Sequence, residues 1–237
     1  MSIPKKIHYC WFGGASEGKQ MERCLQSWQR ACPNYEIIRW DEKNSPLQDN
    51  EYVKQAYQAQ KWAFVSDYVR VKVLSSQGGI YLDTDVELLK SLDSFLDCNA
   101  FLGFESPERV ATCLMGCKPQ HPFFIELCQQ YQHRPFLCAE GDYDETTNVE
   151  MFTEMLTREG LVKNNLPQTV CDVTIYSADF FSPKDLTTGK ITITENTYAI
   201  HYFNASWLPT NKRINTKIAQ LLGPKLTQYI KQRLGRV

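Results

Sequence analysis

Two aspartates separated by one residue, Asp83 and Asp85, are the strongest candidates for chemistry in this 237-residue sequence. They follow the apolar run 80–82, which has the composition of a buried strand. Because side chains alternate along a strand, both carboxylates are expected on one side of the strand end. Such a pair can hold a hard divalent cation, with water and phosphate oxygens as the other ligands. The same triplet also occurs as solvated carboxylates in surface turns, so its position after an apolar strand is what favours a metal site.

A second polar group lies just upstream, on a predicted helix that begins near Trp62. The helix is apolar on most of its circumference, whereas Ser66, Asp67 and Arg70 fall on one strip because residues three and four apart share a face. The Asp67 and Arg70 pair is either a structural salt bridge or part of a binding site. Gly78 and Gly79 predict a left-handed stop and a tight turn into the strand.

The elements before this block predict an α/β sheet. Residues 5–12 form a first strand that ends at Gly13 and Gly14, residues 19–32 an amphipathic helix, and residues 35–40 a second strand. This order favours a parallel pair, and open α/β sheets bind ligands beyond the carboxyl ends of their strands. Residues 42–60 are interpreted as a loop and a polar helix.

The second half of the chain predicts further strands and helices around the same sheet. We expect a short edge with a helical turn over 86–96, β segments over 100–106 and 110–117, helices over 121–131 and 149–160, and two or three strands over 174–203. Cys113 and Cys117 are interpreted as small buried strand residues rather than a zinc pair, and His121 as a surface residue at a helix start. A histidine at a strand end, His201, can complete a metal site.

Composition restricts the class of protein. Apolar content is 43%, charged content 22% and net charge −1, which indicates one soluble α/β domain and argues against a nucleic-acid partner. We expect neither a secretory signal nor a membrane span, and therefore a cytoplasmic protein. The nine cysteines are expected to be free thiols.

Three blocks carry a resemblance to a known family. Residues 63–87, with the sequence AFVSDYVRVKVL, three further residues and GGIYLDTDVE, resemble the sugar-binding DXD region of glycosyltransferase family 32. The opening IPKKIHYCWFGG is similar to the family's first strand, and HYFNASW at 201–207 resembles its closing motif. This group includes yeast-type α-mannosyltransferases, bacterial capsule glycosyltransferases and the catalytic domains of glucosylating toxins.

The resemblance implies a GT-A-like single domain over 1–237, with a mixed central sheet, and a retaining glycosyltransferase. It implies that Asp67 and Arg70 bind hydroxyls of the transferred sugar, and that Ser66 and Tyr81 contact the ribose. Thr147 and Asn148 match a helix start near the donor sugar, and Ser206 and Trp207 belong to the closing loop. Trp11 either packs in the core or stacks on the nucleotide base, as the matching tryptophan does in the toxins.

We therefore expect Asp83, Asp85 and His201 to hold a divalent cation, Mn²⁺ in preference to Mg²⁺, although the toxins use an acidic residue near the position of His201. The expected reaction moves a hexose from a UDP-sugar to a glycan or lipid-linked glycan in surface polysaccharide synthesis. A GDP-mannose-dependent mannosyltransferase, a toxin-like protein glycosyltransferase, a non-catalytic nucleotide-sugar-binding relative and a metal-dependent hydrolase are the alternatives.

The C-terminal segment has a strong charge asymmetry. No acidic residue follows Glu195, whereas residues 212–237 contain seven lysines and arginines and apolar residues at helical spacing on either side of Gly223 and Pro224. A basic amphipathic segment can bind anionic lipid, which would place the protein peripherally on the inner face of the membrane. The alternative is a helix packed on the domain with a solvated face.

Overall fold

The computed structural model describes residues 2–204, which form a mixed seven-stranded sheet, a separate two-stranded sheet and six α-helices. The strands are β1 Lys6–Cys10, β2 Glu36–Trp40, β3 Gly79–Leu82, β4 Val86–Leu88, β5 Ala100–Ser106, β6 Arg109–Cys117, β7 Gln168–Val170, β8 Val173–Tyr176 and β9 Ala199–His201. The α-helices are α1 Lys19–Ala31, α2 Glu51–Gln58, α3 Trp62–Gln77, α4 Pro122–Gln130, α5 Asn148–Arg158 and α6 Ala178–Phe181. Short 3₁₀ helices cover Asp93–Phe95 and Tyr131–His133.

The central sheet has the strand order β2-β1-β3-β6-β5-β8-β7. Strand β1 pairs in parallel with both β2 and β3, as the βαβ pattern predicts, and β6 runs antiparallel to its neighbours β3 and β5. Strands β4 and β9 pair antiparallel in the second sheet, outside the seven-stranded one. The predicted mixed central sheet is confirmed, and the last predicted strand belongs to this additional ribbon.

The central sheet separates two hydrophobic clusters. Ile80 and Leu82 of β3 pack in the cluster that contains α1 and the β4–β9 ribbon, whereas Tyr81 packs in the cluster that contains α2 to α5. This alternation is what a strand buried on both faces requires. The carboxyl end of β3 therefore lies between two different layers, one helical and one formed by α1, α6 and the ribbon.

The turn into β3 differs from the prediction. Gly78 has φ 64 and ψ −160, so it is outside the left-handed helical region, and Gly79 has φ 98. A Cβ on Gly79 would lie 2.9 Å from Nε2 of His8, so glycine is needed here for space as well as for its positive φ. The predicted end of the helix at the two glycines is confirmed, whereas the predicted left-handed helical conformation is not found.

Two other predictions are wrong. His121 is 4% exposed rather than on the surface, because its ring packs edge-on against Phe124 at the start of α4. Helix α2 is amphipathic rather than polar, since Tyr52, Val53 and Ala56 are fully buried. Cys113 and Cys117 are buried on β6 as expected, and all nine cysteines are free. Within residues 2–204, no helix is both long and apolar enough to cross a membrane.

Candidate active site

Asp83 and Asp85 lie in a turn that joins the central sheet to the ribbon. The Asp83 amide donates to the Cys113 carbonyl at 2.8 Å, and the Val86 amide donates to the Asp83 carbonyl at 3.0 Å, which closes the turn. The strand itself ends at Leu82. The two carboxylates are therefore brought together by a turn, not by the strand alternation from which their proximity was predicted.

His201 completes a group of three possible metal ligands with the two aspartates. One ligand atom from each residue lies within 4.8 Å of the others. His201 reaches this position because it ends β9, where it is paired with Val86 of β4. Its Nε2 is 3.3 Å from Oδ1 of Asp85. This trio is the one such cluster found within residues 2–204.

The segment after β9 holds Asp85 from a second direction. The Asn204 amide donates to Oδ2 of Asp85 at 2.8 Å, and the Tyr202 amide donates to the Asp85 carbonyl at 3.0 Å. Burial would raise the pKa of Asp85, but His201 and the Asn204 amide lower it below its usual range. For His201 burial lowers the pKa, and the neighbouring Cys113 sulfur and Asp85 carboxylate outweigh it, so the pKa lies well above the usual range. Asp85 is therefore held as an anion.

These three residues fit a divalent cation. Two carboxylates and one imidazole offer the oxygen and nitrogen donors that Mn²⁺ accepts, and a hard cation takes further ligands from water or phosphate. The hydrogen bonds from Tyr202 and Asn204 would fix the orientation of one ligand, as outer-shell partners do in metal sites. Asp83, Asp85 and His201 are the residues that would hold the ion.

Arg70 is the centre of a buried polar network on the other side of the turn. Its Nη2 lies 3.1 Å from Oδ1 of Asp83 and 3.3 Å from Oδ1 of Asp67. It also donates to the Thr112 carbonyl at 3.1 Å and to Oγ of Ser66 at 3.0 Å. The residue is 6% exposed. The predicted salt pair of Asp67 and Arg70 is therefore present, and it is extended to the first aspartate of the Asp-x-Asp pair.

Tyr81 supports this network from inside the sheet. The Arg70 guanidinium lies over its ring, 4.5 Å from the centroid, and its hydroxyl donates to Asp83 at 3.1 Å. Ser66 is 3.0 Å from the same hydroxyl. Tyr81 is only 1% exposed, so the structure places it beneath Asp83 and Ser66. A ribose contact by Tyr81 was predicted, and in this arrangement its hydroxyl is already taken up by protein groups.

The beginning of α5 contacts Asp67. The backbone amide of Asn148 donates to Oδ2 of Asp67 at 3.2 Å, and its side chain donates to the Asp67 carbonyl at 2.8 Å. Thr147 caps the helix in a reciprocal capping box with Glu150. Burial raises the pKa of Asp67 to about 6, although Arg70 and the Asn148 amide lower it. Thr147 and Asn148 thus lie beside the predicted sugar-binding residues, and their roles remain predictions.

Trp11 directly follows the carboxyl end of β1. Its indole Nε1 donates to the Ala15 carbonyl at 2.8 Å, and its half-buried ring packs partly against the cluster of α1. Gly13, which follows it, has φ 85, and a Cβ there would lie 2.5 Å from Nε1 of Trp62. Trp11 therefore combines core packing with a place at the ligand edge of the sheet. Ser206 and Trp207 fall outside the described residues.

A buried carboxylate on the ribbon escaped the sequence analysis. Glu87 of β4 is 8% exposed and accepts hydrogen bonds from the Tyr202 hydroxyl and from Arg23, the latter at 2.8 Å. These contacts fix the start of the segment that holds Asp85. Glu87 continues the spacing of two residues between Asp83 and Asp85, and this spacing was the available signal in the sequence. The partners of Glu87, Arg23 and Tyr202, are distant from it in sequence.

The chain is similar to known proteins in both sequence and fold. Residues 18–102 match the family model described as a glycosyltransferase sugar-binding region containing a DXD motif. The chain is 31% identical over 144 residues to a mannosyl phosphorylinositol ceramide synthase of Saccharomyces cerevisiae, covering 55% of this chain and 35% of that protein. It is 27% identical over 229 residues to an uncharacterized glycosyltransferase of Acanthamoeba polyphaga mimivirus, covering 87% of this chain and 84% of the relative.

The match to the Saccharomyces cerevisiae synthase covers only part of that protein. The chain spans about a third of the length of the curated mannosyltransferases it matches. Among solved structures, PaToxG glycosyltransferase is similar with a TM-score of 0.55 at 16% identity, over 67% of this chain and 70% of that one. That likeness shows the fold, and the predicted GT-A-like class is confirmed. The match over residues 18–102 agrees with the predicted enzyme class.

Proposed function

We propose that the protein transfers a hexose from a nucleotide diphosphate sugar to a hydroxyl group, with a divalent cation held by Asp83, Asp85 and His201. The observation that carries this proposal is the continuity of the polar network. Arg70 contacts both Asp67 and Asp83, so the predicted sugar-binding residues and the predicted metal ligands form one site. A structural salt bridge alone would not need to end at a metal ligand.

The cation, Mn²⁺ in preference to Mg²⁺, would act as a Lewis acid on the diphosphate that leaves the sugar. Neighbouring residues hold the two carboxylates in position to bind the cation. Arg70 and Tyr81 orient Asp83, whereas the Asn204 amide keeps Asp85 ionised and in place. Turnover is expected to cease in EDTA and to return when Mn²⁺ is added in excess.

The sugar-binding role falls to Asp67, Arg70, Ser66 and Asn148. Asp67 is 9% exposed and contacts Arg70 and the beginning of α5, and its carboxylate can accept hydrogen bonds from sugar hydroxyls. We propose retention of the anomeric configuration, with the acceptor attacking on the face from which the diphosphate departs. The leaving phosphate then accepts the acceptor's proton.

Two donors have specific support. The names of the relatives, mannosyl phosphorylinositol ceramide synthases and inositol phosphoceramide mannosyltransferases, favour mannose and hence GDP-mannose. The position of Trp11 at the sheet edge favours the UDP-hexose that the family 32 resemblance implies. Thermal denaturation with Mn²⁺ and a panel of UDP- and GDP-sugars separates them, because only the cognate donor should raise the melting temperature.

Measuring release of the nucleoside diphosphate from the stabilising nucleotide sugar tests the non-catalytic alternative. A binding module would be stabilised by a nucleotide sugar without consuming it, whereas a transferase releases the nucleoside diphosphate slowly by transfer to water. A metal-dependent hydrolase would instead reach full activity with water alone. Stabilisation by no sugar nucleotide at all would contradict the proposed function.

The acceptor is proposed to be a glycan or a lipid-linked glycan, in surface polysaccharide synthesis such as that of a capsule. The names of the yeast relatives support a lipid acceptor, and a protein acceptor, as for the toxins, is the alternative. A cytoplasmic location on the inner membrane face, through the basic segment 212–237, remains a prediction because that segment lies outside the described residues. Sedimentation with anionic and neutral vesicles, with and without 212–237, tests it: binding to neither vesicle type would contradict it.

A further inference from the structure

Tyr131 is a fully buried residue directly after α4, where a short 3₁₀ helix begins. Its ring packs edge-on against the rings of Tyr52 and Tyr68, with centroid distances of 4.8 and 5.4 Å. Close packing of this kind leaves the ring, and hence its hydroxyl, little freedom to move. Because Tyr131 has no exposed surface, any effect that it has on ligand binding must pass through its neighbours.

The Tyr131 hydroxyl donates a hydrogen bond to Oδ1 of Asn148, the first residue of α5. On its other side, the Asn148 amide nitrogen donates to the Asp67 carbonyl at 2.8 Å. A carbonyl only accepts hydrogen bonds, so the amide nitrogen must face Asp67 and the amide oxygen must face Tyr131. Burial raises the pKa of Tyr131 well above its usual range, so the hydroxyl keeps its proton and remains a donor. The two partners together select one orientation of the Asn148 side chain.

The position of Asn148 in turn affects the Asp67 carboxylate. The Asn148 backbone amide donates to Oδ2 of Asp67 at 3.2 Å, while Oδ1 of Asp67 lies 3.3 Å from Nη2 of Arg70. A carboxylate offers about four lone-pair positions, so these two contacts leave about two that can accept ligand hydroxyls. The directions of those remaining positions depend on the two contacts that the carboxylate already makes.

The three residues Asp67, Tyr131 and Asn148 come from different elements, namely α3, the 3₁₀ helix after α4, and α5. The hydrogen bond from Tyr131 joins α5 to the 3₁₀ helix, and the hydrogen bonds from Asn148 join α5 to α3. Asn148 is only 1% exposed. Without the Tyr131 hydroxyl, its Oδ1 would be a buried acceptor that has lost its donor, which is costly enough to favour a different side-chain position. The Tyr131 hydroxyl therefore helps to hold the start of α5 against Asp67.

A purely structural role for the hydroxyl is the alternative, and Tyr68 provides the comparison. Tyr68 belongs to the same aromatic cluster, is 2% exposed, and donates its hydroxyl to Oδ2 of Asp49 at 3.1 Å. Asp49 pairs with Lys72 on the same helix as Tyr68. Removing the Tyr68 hydroxyl thus breaks a hydrogen bond in the same cluster, but one that does not lead to Asn148.

We infer that Tyr131 is a positioning residue for the donor sugar: its hydroxyl orients the Asn148 amide, and Asn148 holds the Asp67 carboxylate in the direction that receives sugar hydroxyls. The inference rests on the proposed function and adds to it a residue that never touches the donor. It predicts that the Tyr131 hydroxyl affects recognition of the sugar and has no effect on recognition of the nucleotide or the cation.

The experiment compares the affinity for a nucleotide sugar with the affinity for the nucleoside diphosphate that it contains. Wild-type protein, Tyr131→Phe, Asn148→Ala and the double variant are titrated with GDP-mannose and GDP, and with UDP-glucose and UDP, in excess Mn²⁺. Tyr68→Phe is the matched control, because it also removes one hydroxyl from the aromatic cluster. Tyr131→Phe keeps the packed ring, and Asn148→Ala removes the same hydrogen bond from its other end. Thermal denaturation measures the loss of stability in each variant.

We expect Tyr131→Phe to weaken binding of the cognate nucleotide sugar about fivefold, the effect of losing one hydrogen bond between uncharged groups, and to change the affinity for the nucleoside diphosphate less than about twofold. Tyr68→Phe should lose stability and keep both affinities. In the double variant, Tyr131→Phe should add no further loss of sugar affinity to that of Asn148→Ala, because it acts through that residue.

Three results would each overturn the positioning role of Tyr131. The first is equal weakening of the nucleotide sugar and the nucleoside diphosphate in Tyr131→Phe, or no weakening of either. The second is an additive loss of sugar affinity in the double variant, and the third is the same loss of sugar affinity in Tyr68→Phe. A wild type that binds neither nucleotide sugar would instead refute the proposed function itself.

Discussion

The two sides of the Asp83–Asp85 turn are built differently. The α3 side, consisting of Asp67, Arg70 and Asp83, comes mostly from one stretch of chain, and its ion pairs are between residues no more than 13 positions apart. The β9 side, consisting of Asp85, His201 and Tyr202, joins residues more than 100 positions apart. Contacts between residues close in sequence and contacts between residues far apart in sequence thus meet at the Asp83–Asp85 turn.

Burial and partners also differ between the two sides. The guanidinium of Arg70 is buried and bonded to carboxylates, a hydroxyl and a carbonyl, whereas Asp85 is held chiefly by one imidazole and by amides of the segment after β9. A buried charge that loses its ion-pair partner is costly, whereas the loss of a single hydrogen bond costs less. We therefore expect substitutions on the α3 side to affect mainly the stability of the fold, and substitutions on the β9 side to affect mainly Mn²⁺ affinity.

The largest effect is expected for Arg70→Ala. It leaves Asp67 and Asp83 as buried carboxylates without their cation, and we predict a loss of about 3–5 kcal/mol in the free energy of unfolding, measured with urea. Lys72→Ala, on the same helix but in a half-exposed pair with Asp49, is the control and should cost less than about 1 kcal/mol. Equal losses in the two variants would show that the α3 side is not the stabilising one.

The next effect concerns His8, which supports the turn before β3. Its Nδ1 accepts from the Trp40 indole at 3.1 Å, so its Nε2 carries the proton and donates to the Gly78 carbonyl at 3.0 Å. Burial lowers the pKa of His8 from 6.5 to about 4, although the Gly78 carbonyl raises it. The lowered pKa means that the stabilisation is full above pH 6.5 and is lost as the pH falls through 4.

We therefore predict that His8→Gln removes part of the acid sensitivity of the fold. Between pH 7 and pH 4 the wild type should lose about 3 kcal/mol more than the variant, which corresponds to the shift of the His8 pKa. Urea unfolding at several pH values measures this difference. Parallel curves for the two proteins would mean that His8 does not titrate differently in the folded and unfolded states.

A smaller effect on stability is expected for Tyr202→Phe on the β9 side. The change removes one hydroxyl from Glu87, which keeps Arg23, so the free energy of unfolding should fall by only about 1 kcal/mol. Mn²⁺ affinity should fall several-fold because Tyr202 begins the segment that orients Asp85. Tyr198→Phe, whose hydroxyl has one long contact of 3.5 Å to Ser94, is the control. An unchanged Mn²⁺ affinity in Tyr202→Phe would contradict the expected difference in role between the two sides.

The same contrast explains what the sequence could predict. Ser66, Asp67, Arg70, Asp83 and the glycine turn lie within one helix–strand unit, where helical and strand periodicity determine which side chains meet. The long-range contacts of Asn148, Glu87 and Tyr202 depend on the packing of α5 and β9, which no local pattern specifies. His201 was found through the family resemblance, because a lone histidine at a strand end has no spacing that identifies its partners.

The geometry of single residues was harder to predict than the elements. Strand alternation predicted that Asp83 and Asp85 lie on one strand face. The strand ends at Leu82, however, and a turn brings the two carboxylates together. Likewise, His121 looked exposed because it precedes a helix start, whereas Phe124 buries it. Both errors come from tertiary contacts that override the local pattern.

The central claim is that Asp83, Asp85 and His201 hold one divalent cation used with a nucleotide sugar. Calorimetric titration of Mn²⁺ into wild type and Asp85→Asn, each with UDP or GDP, tests it most directly, with circular dichroism to establish that the variant is folded. We predict one Mn²⁺ per wild-type chain, affinity at least about tenfold weaker in Asp85→Asn, and tighter Mn²⁺ binding with one of the two nucleotides. A folded Asp85→Asn that binds Mn²⁺ as tightly as wild type would contradict the claim.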